Sequence, residues 1–136
     1  MKEIANKIKK AGGNLYLVGG ALRDELLGKQ THDEDYCVTG LTSEQFQELF
    51  PQSHIQGKSF EVFVLDGKEF AMARKETKLG EGHKQFEIET NPNITIEEDL
   101  ARRDITINSI AKDVLTGKII DPFNGCLLYT SDAADE

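Results

Sequence analysis

The sequence predicts an α/β fold, a mixed sheet flanked by helices. Three observations point there. Short apolar runs of strand length alternate with segments whose apolar residues recur at helical spacing. A glycine pair, Gly19-Gly20, stands where an apolar run ends and a helical pattern begins. An Asp-Gly turn, Asp66-Gly67, joins two runs rich in Val, Phe and Ala. The chain has 136 residues, enough for one domain with a modest core.

Each element follows from its residues. Ile4, Ala5 and Ile8 form an apolar stripe that predicts a helix over 2–11, stopped by Gly12-Gly13. Leu15-Tyr16-Leu17-Val18 predicts a buried strand. A helix over 20–28 should turn Ala21, Leu22, Leu26 and Leu27 inward and end at Gly28. Tyr36-Cys37-Val38 continues a strand from Asp33-Glu34-Asp35, and the sheet should hold Asp33 and Asp35 at its edge beside the Gly19-Gly20 turn. Thr42-Ser43-Glu44-Gln45 is a capping box for a helix over 43–50, closed before Pro51. Residues 61–65 and 69–73 read as the arms of a β-hairpin. Residues 76–93 are polar and contain Gly, which predicts a long mobile loop. Thr95-Ile96-Glu97-Glu98 is a second capping box, opening a helix that should carry Arg102, Arg103 and Asp104. Lys118-Ile119-Ile120-Asp121 is a last strand, ended by Pro122.

Hydrophobic residues make up 38% and charged residues 29%, the balance of a soluble globular chain. No apolar run approaches a membrane span, and Met1 to Lys7 lacks the apolar centre of a signal peptide. Two cysteines, Cys37 and Cys126, do not make a disulfide framework. The expected setting is cytoplasmic. The formal net charge of −8 argues against this segment gripping a nucleic acid backbone by itself, since phosphate contact needs Lys and Arg. Arg102-Arg103 and Lys75, Lys78 and Lys84 are local exceptions. An acidic chain still binds nucleotide where metal ions bridge carboxylate and phosphate.

Residues 126–136 read Cys-Leu-Leu-Tyr-Thr-Ser-Asp-Ala-Ala-Asp-Glu, and the fold signals stop at Asn124-Gly125. This tail looks like the translation of a sequencing adapter read through at the end of a gene fragment. The expectation is therefore a domain over 1–125 and a non-native tail over 126–136, with the natural protein continuing past Gly125. A native polar C-terminus is the other reading.

The chemistry sits in three places. Asp33 and Asp35, at i and i+2 on a strand, leave the same face. Two such carboxylates can hold two Mg²⁺ ions about 3.5–4 Å apart, and oxygen ligands suit Mg²⁺ better than zinc. An isolated Asp-x-Asp is more often plain solvated acid. Gly19 and Gly20 open a helix, whose free N–H groups and dipole attract phosphate. Arg23 follows Gly20 by about one turn and can reach the same phosphate. The bland alternatives are a tight turn and a surface ion pair of Arg23 with Asp24 or Glu25. Neither G-x-G-x-x-G nor a P-loop is present. Third, Arg102-Arg103-Asp104-Ile105-Thr106-Ile107-Asn108 puts Asp104 and Asn108 at i, i+4, where they could orient Arg103 or meet a ribose hydroxyl. A helix-surface ion pair is the alternative. Glu69 is a candidate third acid or an ordinary exposed strand residue. Cys37 shares the Asp35 face, better read as a small, partly buried neighbour than as a soft-metal ligand.

Together these residues resemble the head domain of the bacterial class II tRNA nucleotidyltransferases, the CCA-adding enzymes. That family shares a polymerase-β-like nucleotidyltransferase fold with bacterial poly(A) polymerases. The resemblance runs from about Leu15 to Gly125. It rests on five motifs in order, at 17–28, 33–35, 69–74, 98–108 and 119–125. It implies a transferase that adds CCA to tRNA 3′ ends from CTP and ATP. Asp33 and Asp35 would be the catalytic Mg²⁺ ligands. Gly20, Arg23 and Arg103 would hold the incoming ATP or CTP, with Gly19, Glu69, Arg102, Asp104 and Asn108 in support. Residues 76–93 would correspond to the loop that helps switch from C to A addition. Family members read the base and bind tRNA mainly through domains that follow this segment. The alternatives are a poly(A) polymerase head and an inert nucleotide-binding or interaction domain.

Overall fold

The computed structural model describes residues 1–28, 34–56, 62–78, 86–103 and 109–122, with 76–78 and 86–89 described by backbone alone. Asp33, Asp104, Asn108 and the 126–136 tail lie outside the described residues.

Helix α1 (Lys2–Lys10) leads into strand β1 (Asn14–Val18), which passes directly into helix α2 (Gly19–Leu26). Strand β2 (Asp35–Thr39), helix α3 (Ser43–Leu49) and strand β3 (His54–Gln56) follow. Strands β4 (Val62–Leu65) and β5 (Lys68–Met72) form the predicted hairpin. Its turn has Asp66 at φ 53° and Gly67 at φ 77°, the paired positive values that match the twist of a two-residue hairpin. Then come β6 (Arg74–Lys78), β7 (Phe86–Thr90), helix α4 (Ile96–Ala101), β8 (Ala111–Asp113) and β9 (Ile119–Ile120).

Seven strands form one sheet in the order β3-β4-β5-β2-β1-β8-β9. Only β2 and β5 run parallel; the other pairs are antiparallel. The sheet is therefore mixed, as expected. It is apolar on both faces near its centre. On one face Ala5 and Ile8 of α1 and Phe46 of α3, with Phe50 after it, cover Tyr36, Val38, Phe63 and Phe70. Phe46 lies at the middle, with ring centroids 4.8 Å from Phe63 and 4.9 Å from Phe50. On the other face Ile94, Ile96 and Leu100 cover Tyr16, Val18, Cys37 and Ala111. The strand period of two explains the division, because neighbours along a strand leave opposite faces.

Both capping boxes are formed. Thr42 accepts from the Gln45 N–H at 3.1 Å, and Thr95 accepts from the Glu98 N–H at 3.1 Å.

Four expectations are corrected. Residues 76–93 are not one loop: β6 and β7 pair antiparallel, with Lys75 opposite Glu89, and 79–85 lie outside the described residues. A two-stranded ribbon is held by its cross-strand partners, which polar composition does not report. Helix α4 ends at Ala101, so Arg102 is its C-cap and Arg103 follows it, rather than both riding on the helix. Strand β2 is the fourth of seven, so Asp35 stands at the end of a central strand, not on the sheet's edge. Leu26 and Leu27 are 40% exposed. Helix α2 is laid on the sheet by its first turn, where Ala21 and Leu22 are buried, and its apolar contact fades toward the far end. Strands β3 and β8 are too short to have a readable pattern and owe their form to β4 and β1.

Candidate active site

The site is built where β1 hands over to α2. Val18 is extended, with φ −137° and ψ 171°, and Gly19 turns the chain at φ 72°. That left-handed value suits glycine and strains other residues. The N-cap residue of α2, Val18, supplies no side-chain hydrogen bond to its first turn. A helix start of this kind offers backbone N–H groups and the positive end of the dipole to an anion. One residue on, the Arg23 guanidinium folds back beside Gly20, its Nη2 3.5 Å from where a Gly20 Cβ would stand. The Arg23 Nε also donates to Asp24 at 3.3 Å, so the surface ion pair is formed as well.

Asp35 begins β2 directly across from this turn. It pairs in register with Val18 on one side and with Glu69 on the other. Its carboxylate approaches the turn so closely that Oδ2 lies 3.5 Å from where a Gly19 Cβ would be. Asp35 and Glu69 are exposed at the strand ends, while Cys37, two residues further in, is buried. Burial pushes the Cys37 thiol well above its ordinary range, helped by the nearby Asp99 carboxylate. That is the chemistry of a packed neighbour, not of a thiolate ligand. The structure buries Cys37 more completely than the sequence suggested. Glu34, between the two aspartates, points the other way and accepts a hydrogen bond from the Tyr36 hydroxyl. Burial and this contact with Glu34 raise the Tyr36 hydroxyl above its ordinary range.

Arg102 and Arg103 complete the wall. Both reach Asp99, one turn back on α4. Arg102 Nε donates to Oδ1 at 3.4 Å, and Arg103 Nε and Nη2 donate to Oδ2 at 3.3 Å. The Arg74 backbone N–H donates to Oδ1 at 3.0 Å, which ties the group to the start of β6. Asp99 is only 1% exposed.

A cleft of about 290 Å³ is lined by Asp35, Glu69, Arg74, Arg102 and Arg103, together with Val18, Tyr36, Val62 and Ala71. Of the residues singled out from sequence, the structure thus brings Asp35, Glu69, Arg102 and Arg103 to one cleft. Gly19 adjoins Asp35 at its rim. Gly20 and Arg23 pair with each other beyond the cleft lining. Asp33, Asp104 and Asn108 lie outside the described residues. Among the described residues no three His, Cys, Asp or Glu side chains cluster as a metal cage. Asp35 nevertheless offers hard oxygen donors at an open strand end, which fits Mg²⁺, an ion that keeps several waters and needs few carboxylates.

Two residues, Asp99 and Arg74, lie within the motifs at 98–108 and 69–74 but carried no site role in the sequence. Asp99 stands three and four residues before the arginines, the spacing at which helical side chains meet. Among three consecutive acids, Glu97-Glu98-Asp99, nothing local says which one turns inward.

Comparison with known proteins agrees with this arrangement. Residues 15–128 match the family described as "Poly A polymerase head domain". The chain is 46% identical over 113 residues to the "Multifunctional CCA protein" of Xanthomonas campestris pv. campestris strain B100, covering 82% of this chain and 27% of that protein. It therefore spans about a quarter of that relative's length. Its fold is similar to the Bacillus stearothermophilus CCA-adding enzyme solved in complex with CTP, with TM-score 0.69 and 34% identity over 90% of this chain and 29% of that one. It is also similar to a tRNA nucleotidyltransferase complexed with a primer tRNA and an incoming ATP analog, with TM-score 0.64 and 32% identity over 91% and 35% of the two chains. Among the described residues no helix is long and apolar enough to cross a membrane. With the family matched over most of its length and the mixed sheet in place, the chain belongs to the poly A polymerase head domain family.

Proposed function

We propose that this chain is the catalytic head of a template-independent RNA nucleotidyltransferase that adds CCA to tRNA 3′ ends from CTP and ATP in the cytoplasm. The observation that carries the reading is the meeting of an acidic strand end with a helix start whose N-cap residue, Val18, supplies no side-chain hydrogen bond. The Asp35 carboxylate lies beside the Gly19 turn, and two arginines share its cleft. The names of the relatives favour CCA addition over poly(A) synthesis, since the curated relative is a "Multifunctional CCA protein" and the solved neighbour a CCA-adding enzyme. Because those proteins are about three times as long, tRNA binding and base choice are assigned mainly to parts outside this chain.

Asp33 and Asp35 would hold Mg²⁺, whose charge would favour attack of a 3′ hydroxyl on the α-phosphate and departure of pyrophosphate. The chain's own residues bind and orient. The Gly19-Gly20 N–H groups meet the triphosphate. Arg23 adds a charge-assisted donor at the same helix start, and Arg103 adds one from the cleft lining, with Arg102 beside it. Glu69, next to Asp35 in register, adds negative charge that keeps a cation at the strand ends.

Calorimetric titration of the chain with ATP and CTP, with and without Mg²⁺, tests this reading. Binding should require Mg²⁺ and be lost in Asp35→Asn, with little change in folding stability. Arg23→Ala and Arg103→Ala should each weaken it by roughly 1.5–3 kcal/mol. Equal affinity with and without Mg²⁺ would remove the metal-bridged picture.

A further inference from the structure

We infer that Asp99 is a positioning residue: its buried carboxylate aims Arg102 and Arg103 into the nucleotide cleft. The inference rests on the function proposed above. Arg102 and Arg103 lie past the last turn of α4, where helix geometry no longer fixes the direction of their side chains. Arginine side chains carry about 2 kcal/mol of rotamer entropy, which a ligand would otherwise have to remove on binding. Asp99 removes it beforehand. Arg103 is gripped through two nitrogens on Oδ2 and Arg102 through one on Oδ1. The carboxylate is itself fixed to the sheet by the Arg74 N–H, and the Cys37 thiol lies against it.

The charge balance supports a role toward an anion. Burying one carboxylate calls for a partner, and one cation would satisfy it. Asp99 faces two, at 1% exposure against 14% and 21% for the arginine side chains. Among the described residues one unit of positive charge is left over at the wall of a cleft whose other charged residues are the acids Asp35 and Glu69 and the base Arg74. A triphosphate arriving with a divalent cation complements that pattern, because its charges meet the arginines on one side and its cation meets the acids on the other.

The test uses the whole chain, with ATP and Mg²⁺ as the probe. Asp99→Asn keeps the shape and one acceptor oxygen but sets an NH₂ against a guanidinium. Its Kd for ATP should rise about tenfold, roughly 1.4 kcal/mol. The Arg102 and Arg103 Nε–H resonances should lose their protection from exchange. In the Asp99→Asn/Arg103→Ala double variant the loss should fall short of the product of the two single losses, because both act through one side chain. If Asp99→Asn does not fold, Arg103→Lys keeps the charge but not the two-pronged contact, and the same tenfold loss is expected. Unchanged affinity, or losses that multiply fully, would overturn the positioning role while leaving the proposed function in place. A wild-type chain with protected arginine resonances that binds neither ATP nor CTP would overturn both, leaving Asp99 structural.

Discussion

Gly19 and Gly20 are neighbours, yet replacing each with alanine should move stability in opposite directions. Gly19 sits at φ 72°, while Gly20 is not in the left-handed region. Among the described residues a Cβ on Gly19 would meet Asp35 Oδ2 alone, at 3.5 Å, which is ordinary contact. The cost of Gly19→Ala is therefore conformational, roughly 1–2 kcal/mol for an L-residue in the left-handed region. Among the described residues a Cβ on Gly20 would meet the far end of Arg23 alone, at 3.5 Å. That side chain is 44% exposed and free to move aside. Gly20→Ala should then gain about 0.4–1 kcal/mol through the lower entropy of the unfolded chain. The two variants should differ by about 1.5–3 kcal/mol, or roughly 3–5 °C in Tm per kcal/mol at this size. Urea denaturation with a common m-value gives the comparison directly. If Gly19→Ala matches the wild type, or if both variants are destabilised alike, the turn is not what demands glycine at position 19. Gly19→Ala should also cost more nucleotide affinity than its stability loss accounts for, since the new methyl stands against Asp35.

The core and the buried thiol give two further tests. Phe70 is fully buried, stacked on Tyr36 at 5.1 Å and tilted against Phe46 at 5.6 Å. Phe70→Ala should cost about 3–5 kcal/mol in a urea melt, and a loss near zero would show that this face does not pack as described. In a Cys126→Ser background, native Cys37 should resist thiol reagents at pH 8–9 and react once the chain is unfolded. Its folded ionisation is pushed above the ordinary value of 9.0, so the unfolded chain gives up the proton first. Stability should fall as pH rises past about 9, and Cys37→Ala should lessen that fall. Rapid labelling of the native thiol would contradict its burial.

Local pattern alone determined much of this protein. The stripe of Ile4, Ala5 and Ile8, both capping boxes and the Asp66-Gly67 turn are decided within a few residues. Local sterics and hydrogen bonds act at that range, so the sequence displays them openly. Gly19-Gly20 followed by Asp35 was legible too, because a strand that ends in a left-handed glycine and a helix start has few other forms. Tertiary structure decided what depends on partners distant in the chain. The β6–β7 ribbon, Lys75 opposite Glu89, exists through cross-strand pairing rather than composition. The central place of β2 is set by its parallel pairing with β5, two elements more than thirty residues apart. The choice of Asp99 over Glu97 and Glu98 depends on which face of α4 meets the sheet and the Arg74 N–H. A carboxylate's role follows from what surrounds it once buried, and only packing supplies those surroundings.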